Sequence, residues 1–188
     1  RRTGAQMARA GASTGWRCLS GALPRTTGAL VVMAEHGDGC RLVHVASDGS
    51  IYQQTSLPSL RRARLYDSND GRAWLIGSTA SASDPLLERD RVIVMEIGAD
   101  GRPARTSQLP GARSIDGTPD DEGGVWVATY TADGTDQGTL YSLDRQGDVT
   151  LRWSPDGPSG VGAPIIVAPD TIQVPTSRGL ACLRLSPG

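Results

Sequence analysis

Three arginines, Arg17, Arg64 and Arg113, stand about 47 residues apart, each the second residue of a short stretch: WRCLS, ARLYD and ARSID. A guanidinium carries a rigid fork of N–H donors that fits a carboxylate or phosphate bidentately, so three of them brought to one level would make an anion site. Arg17, Arg64 and Arg113 are therefore the candidate ligand-binding residues. The simpler reading has each arginine paired with an acid in its own repeat, such as Asp67 or Asp116, as a structural peg between sheets. At the next interval the stretch is APIIV, and Pro164 takes the arginine's place.

Other chemistry-bearing residues offer less. The chain has two histidines, His36 in the turn EHGDG and His44 in CRLVHVA, and both fall in the same quarter of the sequence. A lyase or a metal-dependent hydrolase would draw its bases or ligands from several parts of the chain. The acidic turns Asp67–Asp70 and Asp120–Glu122 lack the spacing of a calcium loop. Their carboxylates are expected to bond to the turn backbone. No metal ion and no cofactor is expected. The segment GASTG, residues 11–15, matches a hydrolase nucleophile pattern formally, but that motif needs a strand before it and a helix after it, and TGWRCLS reads as strand. GPSGVG (157–162) has no lysine and reads as a loop. Trp74 and Trp126 occupy matching places and are expected to be packing residues. Trp16 and Trp153 do not share that place, and either could stack on a ligand.

The elements that position these residues repeat. Apolar runs of about five to seven residues are cut by Gly, Pro, Asp and Asn every eight to twelve, with no sustained helical period, which is an all-β pattern. The four stretches above make a first strand position. A second holds ALVVMA, RAWLIG, GVWVAT and TIQVPT. A third holds CRLVHVA, RVIVMEI, TLYSLD and LACLRLS, and a fourth SIYQQT, RPARTSQ and DVTLRWS. Four short strands in a period of 40 to 50 residues predict a β-propeller of four-stranded antiparallel blades. About four blades are visible, at 16–55, 63–108, 112–154 and 163–186. The last lacks its fourth strand. Thr3–Arg9 is expected to supply it and close the ring; the other possibility is a segment of a larger ring, paired with a second chain.

The units DSNDGRAWLIGST (67–79) and TPDDEGGVWVATYT (118–131) resemble the propeller repeats of bacterial two-component regulators, and the related NHL and streptogramin-lyase repeats. There an acidic turn, a glycine and an aromatic-bearing strand recur once per blade. The pattern departs in the first unit, where Val31 stands for the tryptophan, and in the fourth, where Gln173 does. SNDGRAW (68–74) is only loosely similar to a sialidase Asp-box, because Asp70 and Gly71 are adjacent. What the resemblance implies is a blade architecture, most often used for binding, sensing or scaffolding and less often for lyase or lactonase chemistry.

Bulk numbers narrow the classes. The 188 residues can bury a substantial core, and a formal charge of −1 argues against a nucleic-acid partner. No apolar run is long enough for a membrane helix, so no membrane insertion is expected. All 19 basic residues are arginine and phenylalanine is absent, which suggests a GC-rich bacterial coding sequence. The chain begins with Arg1, as a processed product or a piece of a longer protein would, so a missing export signal does not locate it. Cys18, Cys40 and Cys182 form no CxxC pair and are expected to be buried thiols, or one disulfide and a free thiol. The expected function is a non-enzymatic binding, sensing or scaffold domain that recognises a protein partner or a small anionic ligand at one end of the ring. The alternative is a propeller lyase or lactonase-type hydrolase working at the channel mouth.

Overall fold

The computed structural model describes residues 17–26, 28–34, 39–68, 70–79, 91–110, 113–130, 137–168 and 170–185. Within them every regular element is a strand, and the strands form four antiparallel sheets in chain order. In the first sheet β1 (Arg17–Cys18) and β2 (Leu23–Arg25) both lie on β3 (Gly28–Ala34), followed by β4 (Cys40–Ala46) and β5 (Ile51–Leu57). The second runs β6 (Leu60–Asp67), β7 (Ala73–Thr79), β8 (Arg91–Ile97), β9 (Pro103–Pro110). The third runs β10 (Arg113–Pro119), β11 (Val125–Tyr130), β12 (Gly138–Leu143), β13 (Val149–Trp153). The fourth has β14 (Ile165–Ala168), β15 (Thr171–Thr176) and β16 (Gly179–Arg184). This is the all-β blade architecture that the repeat predicts. The first strand of the first blade is broken: Leu19 N–H donates to Val32 O, and Ser20 Oγ accepts from Val32 N–H, so the chain bulges between β1 and β2.

The middle strands of the first three sheets are largely buried on both faces, whereas β15 of the fourth is buried on one face only. Leu30, Val32 and Leu42 of the first sheet meet Ala73, Leu75 and Met95 of the second. The second turns Trp74, Ile76 and Val94 to Val125, Val127, Tyr141 and Leu143 of the third. The third turns Trp126, Ala128 and Leu140 to Ile172 and Val174 of the fourth. At about 1.5–3 kcal/mol for each large apolar side chain buried, these three contacts dominate the stability of the stack. Trp74 and Trp126 are packing residues, as expected. Trp153 is half-buried against the third contact, so it too packs.

The hairpin turns share one chemistry. Asp48, Asp70, Asp100, Asp120 and Asp144 each accept, on Oδ1, the N–H two residues on. A glycine with positive φ follows each aspartate, at Gly49, Gly71, Gly101, Gly123 and Gly147, where a side chain would be strained. Of the acids expected to bond the turn backbone, Asp70 and Asp120 do so, whereas Asp67 pairs with Arg25.

Pairing also corrects part of the sequence alignment. Trp74 lies opposite Glu96, Trp126 opposite Ser142 and Gln173 opposite Cys182. In the first sheet the residue opposite His44 is Leu30, which faces the second sheet, whereas Val31 faces away from it. Leu30, not Val31, stands in the tryptophan's place. The cysteines are all free, and Cys18 and Cys182 are exposed, so only Cys40 fits the expectation of a buried thiol. Thr3–Arg9, Trp16, His36 and GASTG lie outside the described residues, as does any closing strand they would provide.

Candidate functional site

The first strands of successive sheets run close enough to be bonded side chain to side chain. Gly117 marks a close approach, since a Cβ there would lie 2.3 Å from Ile76 Cδ1. Around it Arg64 and Tyr66 of β6 reach Asp116 of β10. Arg64 Nη1 stands 2.8 Å from Asp116 Oδ2, and Tyr66 O–H donates to Asp116 Oδ1 at 2.5 Å. The backbone N–H of Gly117 donates to the Tyr66 oxygen at 3.0 Å. Arg25 of β2 ties the first sheet to the second in the same way, with Nη1 2.8 Å from Asp67 Oδ1. Thr118 Oγ1 continues the series by donating to Pro164 O of the fourth blade.

These contacts move the titration of each ionisable group of the cluster away from neutral pH. Burial raises the Tyr66 hydroxyl well above its ordinary value, and donation to the Asp116 carboxylate raises it further. Burial opposes ionisation of Asp116, but hydrogen bonds from Tyr66, Arg64 and the Gly117 N–H outweigh it and hold the carboxyl below its usual range. The hydrogen bond and charge of Asp116 raise Arg64, which stays cationic.

Of the three candidate arginines, Arg64 is in this cluster, with 59% of its side chain exposed beside its ion pair. Arg17 is exposed on β1. Arg113 is placed by its backbone alone, at the start of β10. Their registers differ. Counted along the second strand from the tryptophan position, Arg64 pairs two residues on, at Ile76, and Arg113 four on, at Tyr130. Arg17 pairs with Ala34, four beyond Leu30. Arg64 thus sits at a different level from Arg17 and Arg113, and the acid it meets belongs to the next blade, not its own.

A second polar row went unread in the sequence. His44, Glu96 and Ser142 occupy one register position in otherwise apolar third strands, and all three are buried. The Gly101 carbonyl can only accept, so His44 Nε2–H donates to it at 3.0 Å and Nδ1 accepts from the Tyr52 hydroxyl at 3.0 Å. Glu96 is paired with Arg72, which also holds Asp70. Ser107 Oγ donates to Gly147 O at 2.7 Å. The β8–β9 and β12–β13 turns are each latched to the preceding sheet through a glycine carbonyl, the latter also through Arg145 O, which accepts from Arg105. The signal was a lone polar residue inside CRLVHVA and RVIVMEI. Among the described residues no group of three or more His, Cys, Asp or Glu is arranged to hold a metal ion.

No protein-family model matches the chain, and no curated protein matches it. Solved structures do. A protein of unknown function from Bacteroides caccae superposes with a TM-score of 0.50 at 14% identity, over 85% of this chain and 53% of the other. The Dos1 propeller gives a TM-score of 0.51 at 14% identity, over 85% and 46%. A eukaryotic initiation factor gives 0.50 at 8% identity, over 75% and 33%. At such identities the likeness is one of fold, and the fold is a β-propeller's. The chain spans about half, or less, of each of these structures.

Proposed function

We propose that this is a non-enzymatic recognition and scaffold domain that takes an anionic group, the carboxylate or phosphate of a small ligand or of an acidic protein segment, at the first-strand end of the blades, with Arg64 as its anchor. The carrying observation is the Arg64–Tyr66–Asp116 cluster. General acid–base chemistry at neutral pH needs a group that titrates there. In this cluster the phenol is held protonated, the carboxyl ionised and the guanidinium charged. Such a set stays in one protonation state and fixes geometry. Asp116 orients the guanidinium, and the exposed part of Arg64 is available to an incoming oxyanion. Arg17, exposed on the first blade, is a second, independent contact.

Calorimetric titration with inorganic phosphate and with a polyglutamate peptide tests this. Binding to the wild type should weaken at least about tenfold in Arg64→Ala, the loss of roughly one charge-assisted contact. Arg17→Ala should weaken it less. Absence of binding by the wild type, or equal binding by Arg64→Ala with an unchanged circular dichroism spectrum, overturns the proposal.

A further inference from the structure

Strand pairing supplies, in the second blade, the counterpart of Arg17 and Arg113 that Arg64 is not. Arg17 lies opposite Ala34 and Arg113 opposite Tyr130, each four residues beyond the tryptophan place of its second strand. In the second blade that place is Ser78, four beyond Trp74, and the residue opposite Ser78 is Arg62. Register thus sets one arginine at the same level of the first strand in three consecutive blades. In the fourth blade Gly160 stands there, its carbonyl accepting from the N–H of Ser177, four beyond Gln173. Third strands tie the level together across blades. Cys40, opposite Ala34, accepts on Sγ from Leu60 N–H at 3.2 Å, two residues before Arg62. Gly138, opposite Tyr130, donates to Ser159 O at 2.8 Å, beside Gly160. Arg17 and Arg62 are exposed, and among the described residues neither guanidinium is paired with an acid. Arg25, Arg64, Arg72 and Arg105 all have acids beside them.

We propose that this arginine level binds a small polyanion, an oligophosphate or polycarboxylate with three or more charges, held between blades by Arg17, Arg62 and Arg113. The inference rests on anion recognition at the first strands, but not on Arg64. Arg62 and Arg64 share a face of β6, about 7 Å apart along the strand. Arg64 gives part of its fork to Asp116, whereas Arg62 keeps all its donors for a ligand. First strands lie nearest the axis of a propeller, so like charges at one level of adjacent blades add to a single positive field that gathers anions. Packed sheets stand about 10 Å apart, a span that a chain of phosphates or a branched polycarboxylate bridges better than a single phosphate does. Guanidinium forks take each such oxyanion bidentately. An extended peptide lying along a first strand would meet one member of the set, which favours the compact ligand.

Calorimetric titration with tripolyphosphate beside inorganic phosphate tests it. Tripolyphosphate should bind at least about tenfold more tightly, the gain of one further charge-assisted contact, and the margin should narrow as salt is raised. Arg62→Ala and Arg113→Ala should each remove most of that margin while phosphate binding persists. Arg62→Lys, which keeps the charge without the fork, should retain part of it, and Arg102→Ala, at an exposed turn, all of it. Circular dichroism shows that each variant is folded. Citrate separates the two ligand sources: an equal margin supports a site read by charge, and no margin assigns it to phosphates. If phosphate binds through Arg64 and tripolyphosphate binds no more tightly, the arginine level is overturned and the Arg64 site stands. If tripolyphosphate binding depends on Arg62 and Arg113 but not on Arg64, the level stands and Arg64 is not the anchor. A margin that survives Arg62→Ala with Arg113→Ala overturns the proposal, and so does polyglutamate binding more tightly than tripolyphosphate. Binding of neither anion by the wild type overturns both readings.

Discussion

Leu140 and Leu180 occupy the same place in two consecutive blades, yet one is sealed under a neighbouring sheet and the other faces solvent. The strand chemistry around them is alike, so the difference lies in what covers them. A blade's sequence prepares an apolar surface on both sides, and stacking decides which surface becomes core. Truncating the two leucines measures that difference directly. Leu140→Ala should cost about 2–5 kcal/mol in urea unfolding of dilute protein, the price of a cavity in a packed contact. Leu180→Ala should stay within about 0.5 kcal/mol, as exposed positions do. Equal losses would mean that the fourth sheet is covered even in the monomer.

The turns make the same comparison on a smaller scale. Gly101 and Gly49 sit in equivalent third-to-fourth-strand hairpins, both with positive φ. A Cβ on Gly49 meets nothing within 4 Å, whereas on Gly101 it would lie 1.7 Å from His44 Cε1. Gly49→Ala should cost about 1 kcal/mol, the strain of a left-handed backbone. Gly101→Ala adds displacement of the imidazole and loss of its bond to the carbonyl, for about 2–3 kcal/mol in all. His44→Ala in the Gly101→Ala background should then cost less than in the wild type, because the latch is already open. Additive losses in that double-mutant cycle would refute the latch.

Why some of this was legible from residues and some was not follows from the same contacts. The runs CRLVHVA and RVIVMEI coincide with β4 and β8 because those strands are buried on both faces and the run is mostly apolar. The acidic turns were equally legible, since aspartate and a left-handed glycine are local requirements. The first strands were not. The break beside Ser20 and the bulge between Ser114 and Asp116 interrupt the pairing, so register along these strands does not follow from counting residues. Arg64 does not share the level of Arg17 and Arg113, and it meets an acid from the next blade. Inter-blade partners such as Tyr66 with Asp116, or His44 with Gly101, are about fifty residues apart and follow no local pattern.

The smallest expected effect concerns pH, and it separates a contact made across blades from one made within a turn. Asp116 has its folded-state value below the ordinary 3.8, so its contribution is complete above that value and is lost as pH falls below it. Tyr66 has its folded-state value above the ordinary 10.0, so its contribution is complete below pH 10 and is lost as pH rises beyond it. The junction of the second and third blades should therefore be equally stable between about pH 4 and 10 and weaken on both sides. Asp116→Asn should flatten part of the acid limb, and Tyr66→Phe part of the alkaline one. Asp70 is also held low, by its hydrogen bonds to Arg72. Its partner is two residues away, so Asp70→Asn should alter the acid limb without changing amide exchange at Gly117, whereas Asp116→Asn should speed exchange there. If both variants leave Gly117 equally protected, the carboxylate does not hold the blades together, and the Arg64 site loses the group that orients it.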